Sequence, residues 1–125
     1  MTFLLSFEPR NLHRVAVTIH RRRSEMVRAM KRDGHRKAAE ADASCFQFNC
    51  LTFEDNRIAH LHFCRDRLSV GNVAHECFHA CFHRLRLLGV PLDHPDFEER
   101  LAEDTGNLTD RIVRELHRNK IPVLA

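Results

Sequence analysis

The sequence predicts an α+β fold in which a small mixed or antiparallel sheet packs against a central helix and a C-terminal helix. Two observations favour this class: short segments in the first half are β-branched or alternate polar with apolar residues, and two longer segments in the second half follow the helical period. The chain has 125 residues, 43% of them hydrophobic, which suits one modest core. Residues 1–125 are therefore expected to form a single domain.

The predicted strands lie between turn signals in the first half of the chain. Residues 15–19 are mostly β-branched and predict a strand. A helix is then expected to begin at Ser24 and to run through Ala38, interrupted or frayed near Gly34. Residues 45–53 alternate in part, and residues 57–64 alternate again after an E-D-N turn signal. These last two segments predict a hairpin.

The two predicted helices of the second half have recognisable ends. Ser69 or Asn72 can cap the start of the central helix, and Gly89 followed by Pro91 marks its end. The last helix is expected to cover residues 96–120.

The central helix carries the pentapeptide H-E-C-F-H at residues 75–79, which is an H-E-x-x-H motif. Residues four apart lie on one face of a helix, so His75 and His79 can reach the same metal ion. Glu76 lies beside them and is the predicted general base for a water molecule activated by the metal. Cys77 and Cys81 point away from the histidines on the helical wheel and are expected to be small buried hydrophobic residues.

Catalytic zinc sites usually have three protein ligands, so a third is expected downstream. Glu99 shares a stripe of the last helix with two small residues, which would allow a close approach to the central helix. Glu98 and His94 are the alternatives. A competing interpretation is that Glu99 and Asp96 form a capping box at the start of that helix.

Residues 73–80, together with residues 98–106, resemble the small zincin-like metallopeptidases of bacteriophages and prophages, which are similar to gluzincins. The resemblance covers mainly residues 57–118. It implies a minimal zincin-like fold and zinc-dependent hydrolysis of a peptide or protein substrate.

The resemblance also implies particular roles. His75, His79 and Glu99 would hold Zn²⁺, and Glu76 would act as the general base. The chain departs from gluzincins because it contains no tyrosine to stabilise the oxyanion, which leaves that role to a histidine. The candidates for stabilising the oxyanion are His83, His94 and His117.

A second resemblance is to the Spartan/SprT-type proteases, which act on proteins crosslinked to DNA and use three histidines. The spacing from His79 to His94 and on to Phe97 is similar, although Asp93 and Pro95 replace the usual glycines. In this alternative His94 would be the third ligand. A non-catalytic zinc-binding interaction module is a further alternative.

Composition sets expectations about partners and compartment. Residues 1–40 contain ten Lys/Arg and four acidic residues, so contact with nucleic acid is one expectation and a solvated charged surface is the other. The five cysteines accompany no secretory signal, because the apolar start of the chain is too short for one, and a cytoplasmic protein with reduced thiols is expected. No apolar run is long enough for a membrane span.

The second strand of the predicted hairpin carries two further expectations. Residues 57–64 are expected to bind substrate backbone by strand addition. His60 and His62 share one face of that strand and are expected to be exposed to solvent.

Overall fold

The computed structural model describes residues 1–7, 13–34, 43–47 and 56–124. It confirms the α+β class, with a mixed sheet and three α-helices in the described part of the chain. In chain order the elements are β1 (Thr2–Ser6), β2 (Arg14–His20), α1 (Arg23–Arg32), β3 (Ala43–Gln47), β4 (Arg57–Cys64), α2 (Val70–Leu87) and α3 (Phe97–Arg118).

The four strands are arranged in the order β1-β2-β4-β3. β2 and β4 are parallel, and the connection between them contains α1, as a parallel pair requires a long crossover. β1 pairs antiparallel with β2, and β3 pairs antiparallel with β4. The predicted pairing of the third and fourth strands is therefore confirmed, while the part of residues 45–53 beyond Gln47 lies outside the described residues.

The strands differ from the sequence analysis in two ways. β1 is a strand that the sequence pattern does not predict, because its central residues are all apolar and do not alternate. The expectation that residues 57–64 would bind a substrate strand is wrong, because β4 is an inner strand with hydrogen-bonded neighbours on both sides. Among the described strands, β3 and β1 are the ends of the sheet.

Helices cover both faces of the sheet. α2 and α3 share a core with one face, whereas α1 packs on the other face against β2 and β4. His60 and His62 lie on the α1 face, so the expectation that they would be exposed is wrong. The side chain of His62 is 2% exposed and that of His60 is 16% exposed.

The predicted helix ends are largely confirmed. Ser69 caps α2 by accepting a hydrogen bond from the Asn72 N–H at 3.0 Å. Gly89, just beyond the helix, has a positive φ of 75°, a conformation that favours glycine. Asp96 precedes α3 but makes no side-chain capping hydrogen bond, so the capping-box interpretation of Asp96 and Glu99 is wrong.

α2 and α3 run antiparallel, and the two cysteines of α2 lie at their contact. Cys77 is close to Thr109, and Cys81 is close to Thr105 one turn earlier in α3. Both thiols are fully buried, which confirms their expected role as small core residues. No helix in the described part of the chain is long and apolar enough to span a membrane.

Candidate metal centre on helix α2

The orientation of α2 follows from its apolar side. That side is buried against the sheet and α3, which turns the opposite side outwards and leaves His75 and His79 exposed. The buried apolar residues are Val73, Cys77, Ala80, Cys81 and Leu85.

The two histidine rings converge on one point. Their Nε2 atoms are 3.3 Å apart, and their ring planes are inclined at 73°. Two ligands of a tetrahedral zinc ion, each 2.0–2.1 Å from the metal, are separated by about 3.3–3.4 Å. The two nitrogens, which share a hydrogen bond in this structure, therefore have the separation of two ligands of one zinc ion.

Glu76 lies close to this pair but in a different environment. One of its carboxylate oxygens is within 4.8 Å of the histidine ligand atoms, and the residue is only 6% exposed. Burial raises the pKa of the Glu76 carboxyl, and the charge of His75 opposes this only in part. Glu76 is therefore buried, although it neighbours two exposed histidines on the same helix. A carboxylate of raised pKa accepts a proton more readily, as a general base must.

The second histidine of the pair is suited to ligation. Burial lowers the pKa of His79, and the neighbouring His75 lowers it further. A lowered pKa favours the neutral imidazole at physiological pH, and the neutral form is the one that binds metals.

The structure does not bring Glu99 to the histidine pair. Cys81 is paired with Thr105, and residues further along α2 meet residues earlier in α3, so Glu99 is level with Leu87. That position is about 12 Å beyond His79 along the helix axis, at 1.5 Å per residue. Glu99 is also exposed, and α3 lies on the cysteine side of α2, away from the histidines.

The two alternative ligands are also apart from the pair. Glu98 is exposed in the first turn of α3. His94 is exposed in the loop before α3, where its Nδ1 accepts a hydrogen bond from the Asp96 N–H at 3.1 Å. Among the described residues, Glu76 is the one that joins His75 and His79 within 4.8 Å.

The histidines considered for oxyanion stabilisation have different environments. His83 follows His79 by one helical turn but is 7% exposed, facing the interior. His94 is exposed in the loop between α2 and α3, and His117 is exposed in the last turn of α3. None of the three joins the group formed by His75, Glu76 and His79.

A second group of metal-binding side chains lies on the other face of the sheet. Asp33, His60 and His62 have one ligand atom each within 4.8 Å of the others. The H-x-H spacing in β4 was the sequence signal for the two histidines, since alternate strand residues share a face. The sequence did not indicate that Asp33 lies beside these histidines, because its location depends on how α1 packs on the sheet.

The first third of the chain is rich in Lys and Arg, and several of these side chains are exposed on and near α1. Five positively charged side chains lie at the surface of α1 and the turn before it: Arg21, Arg22, Arg28, Lys31 and Arg32. Contact between this surface and nucleic acid stays a prediction.

Comparison with known proteins adds no relative. No protein-family model matches the chain, and neither the curated proteins nor the solved structures include a match.

Proposed function

We propose that the protein is a zinc-dependent metallopeptidase of the zincin type, which hydrolyses peptide bonds in a peptide or protein substrate. One observation carries the proposal: the Nε2 atoms of His75 and His79 are 3.3 Å apart on an exposed helix face, with the buried carboxyl of Glu76 next to them. An exposed imidazole pair with this spacing provides metal ligands, and a buried carboxylate provides a base.

Each residue of the motif has a distinct part in the proposed reaction. His75 and His79 hold Zn²⁺, which supplies Lewis-acid activation of water and of the scissile carbonyl. Glu76 takes the proton of the attacking water and delivers it to the leaving amine. Its burial supports the first step, because burial raises the pKa of the Glu76 carboxyl and so makes the carboxylate a stronger base.

The substrate backbone is proposed to add to β3. Among the described strands β3 is an end of the sheet, and it packs against α2, so a peptide paired with it would run alongside the helix that carries the histidines. Phe78 is 43% exposed, and its ring centroid lies 6.0 Å from that of His79. It offers an apolar surface for a substrate side chain beside the metal.

A non-catalytic zinc-binding module is the second candidate function. It is favoured by the small number of ligands, since among the described residues only Glu76 joins the two histidines. Such a module would need metal binding but no proton transfer through Glu76.

Replacing Glu76 by Gln separates the two candidates. We expect the Glu76→Gln protein to bind zinc at His75 and His79 as the wild type does, while hydrolysis of quenched fluorescent peptides falls to the buffer rate. Glu115→Gln, an equivalent exchange on α3, is the control and should retain activity. Zinc-loaded wild type that cleaves no peptide or protein supports the binding module, and a fully active Glu76→Gln protein contradicts the proposed base.

A further inference from the structure

Asp33, His60 and His62 form a compact cluster between α1 and the sheet. The Nε2 atom of His62 is 2.7 Å from Oδ2 of Asp33, and Nδ1 of His60 is 3.8 Å from the same oxygen. The two rings stack with their centroids 4.0 Å apart. One nitrogen of each imidazole and one carboxylate oxygen of Asp33 therefore lie within 4.8 Å of one another. Because the rings are stacked with their planes inclined at only 23°, at least one ring has to turn before both nitrogens can bind one ion.

The other ring nitrogen of each histidine is also held. Nε2 of His60 is 2.7 Å from the Thr18 hydroxyl oxygen, and Nδ1 of His62 is 3.0 Å from Nε2 of His20. In metal sites a ligating histidine commonly bonds a second group through its free nitrogen, which fixes the tautomer and the ring orientation. Both histidines of this cluster have such a partner, so the cluster has outer support as well as potential ligands.

Asp33 lies where a carboxylate needs positive charge beside it. It is the C-cap of α1, where the helix dipole presents its negative end. Lys31 and Arg32 in the last turn of the helix supply part of that charge, and a bound cation would add to it. His62 is 2% exposed, so a cation bound there would be largely screened from water.

We propose that Asp33, His60 and His62 form a second metal site, which binds a divalent transition-metal ion such as zinc. Two imidazoles and one carboxylate suit zinc and its neighbours in the first transition row, whereas magnesium and calcium prefer oxygen ligands alone. The ion would replace the hydrogen bond between His62 and Asp33. His62 would then carry its proton on Nδ1 and donate it to Nε2 of His20.

The role of this site is structural. Asp33 ends α1 and His60 and His62 belong to β4, so one ion would fasten the end of the helix to the centre of the sheet. Metal that binds only the folded chain stabilises it by mass action. The inference does not depend on the proposed peptidase activity, because the two sites share no residue.

The test removes the first site and asks whether zinc binding remains. The double variant His75→Ala/His79→Ala changes only exposed side chains, so the fold should survive. After treatment with chelator, exposure to Zn²⁺ and dialysis, we expect this variant to retain one zinc ion per chain by elemental analysis. We also expect zinc to raise its melting temperature. A variant that retains no zinc overturns the inference, whatever the outcome for peptidase activity.

A second set of variants locates the retained ion. Adding Asp33→Asn and His60→Gln to the double variant should weaken the remaining zinc binding by more than about a hundredfold, because two of the three proposed ligands are changed. Adding His94→Ala instead, which changes an exposed loop histidine, should leave it unchanged. Zinc retained at full affinity after the Asp33 and His60 exchanges would place the ion elsewhere and overturn the inference.

Discussion

At the scale of single residues, α2 separates two kinds of metal-binding side chain by burial. His75 and His79 are exposed on one side, whereas Cys77 and Cys81 are fully buried on the other. Thiolate is the form of cysteine that binds metals, and burial opposes its formation at both thiols, even with Arg84 near Cys81. The cysteines therefore belong to the core, and the histidines remain available to a metal.

Thiol reactivity tests this separation. Burial raises the pKa of Cys77 and of Cys81 to about 12, and that of Cys64 to about 11. In a Cys45→Ser/Cys50→Ser variant, we expect none of these three thiols to react with Ellman's reagent at pH 8 while the protein is folded. All three should react in guanidinium chloride. Rapid reaction of Cys77 or Cys81 in the folded variant would show that the α2–α3 contact is open.

At the scale of elements, the helix ends could be predicted closely and the contacts between helices could not. Capping depends on local sequence, so Ser69 and Gly89 marked α2 correctly. The placement of Glu99 depended on how α3 turns against α2, which its spacing from the H-E-x-x-H motif does not determine. The apolar side of α2, which includes Cys77 and Cys81, did indicate where α3 would pack. A second helix covers an apolar side, so α3 lies on the cysteine side of α2.

The N-cap of α2 makes a measurable contribution to stability. Ser69→Ala removes the acceptor for the Asn72 N–H, which should lower the free energy of unfolding by about 1 kcal/mol. The melting temperature should fall by roughly 3–6 °C. Ser69→Asp retains an acceptor and should melt close to the wild type. Equal losses for both variants would mean that the side-chain bond does not stabilise the helix.

The pairing of α2 with α3 leads to a prediction for Glu99. Because Glu99 is level with Leu87 and exposed, we expect Glu99→Ala to leave zinc affinity at the first site unchanged. His79→Ala should weaken it by more than about a hundredfold, since it removes a ligand rather than a supporting residue. Both are measured by calorimetric titration with Zn²⁺ in an Asp33→Asn/His60→Gln background. A large loss for Glu99→Ala would instead support the ligand set implied by the gluzincin resemblance.

At the scale of the whole molecule, the class of fold could be predicted, but the layering could not. Alternation and β-branching identified β2 and β4, and helical periodicity identified α2 and α3. The crossover that places β4 inside the sheet is a long-range arrangement, as is the packing of α1 over His60 and His62. Local patterns do not encode which face of a strand a distant helix covers, so the second histidine cluster could not be recognised.

The buried His13 makes the stability of the whole domain depend on pH. It is 6% exposed, and burial lowers its pKa, with further lowering by Arg84 and His83. As the pH falls below 6.5, the unfolded chain takes up this proton before the folded chain does, so the free energy of unfolding decreases. We expect His13→Leu to lose less stability than the wild type between pH 7 and pH 5 in urea titrations. An identical loss would show that His13 does not contribute.

The most direct test of the central claim is an anomalous-scattering measurement at the zinc edge on crystals of the zinc-loaded protein. The account predicts a peak about 2.0–2.1 Å from Nε2 of His75 and from Nε2 of His79. It further predicts the Glu76 carboxylate beside the ion's open position. Zinc-replete crystals in which both rings point into solvent, with no peak at bonding distance from either, would contradict the account.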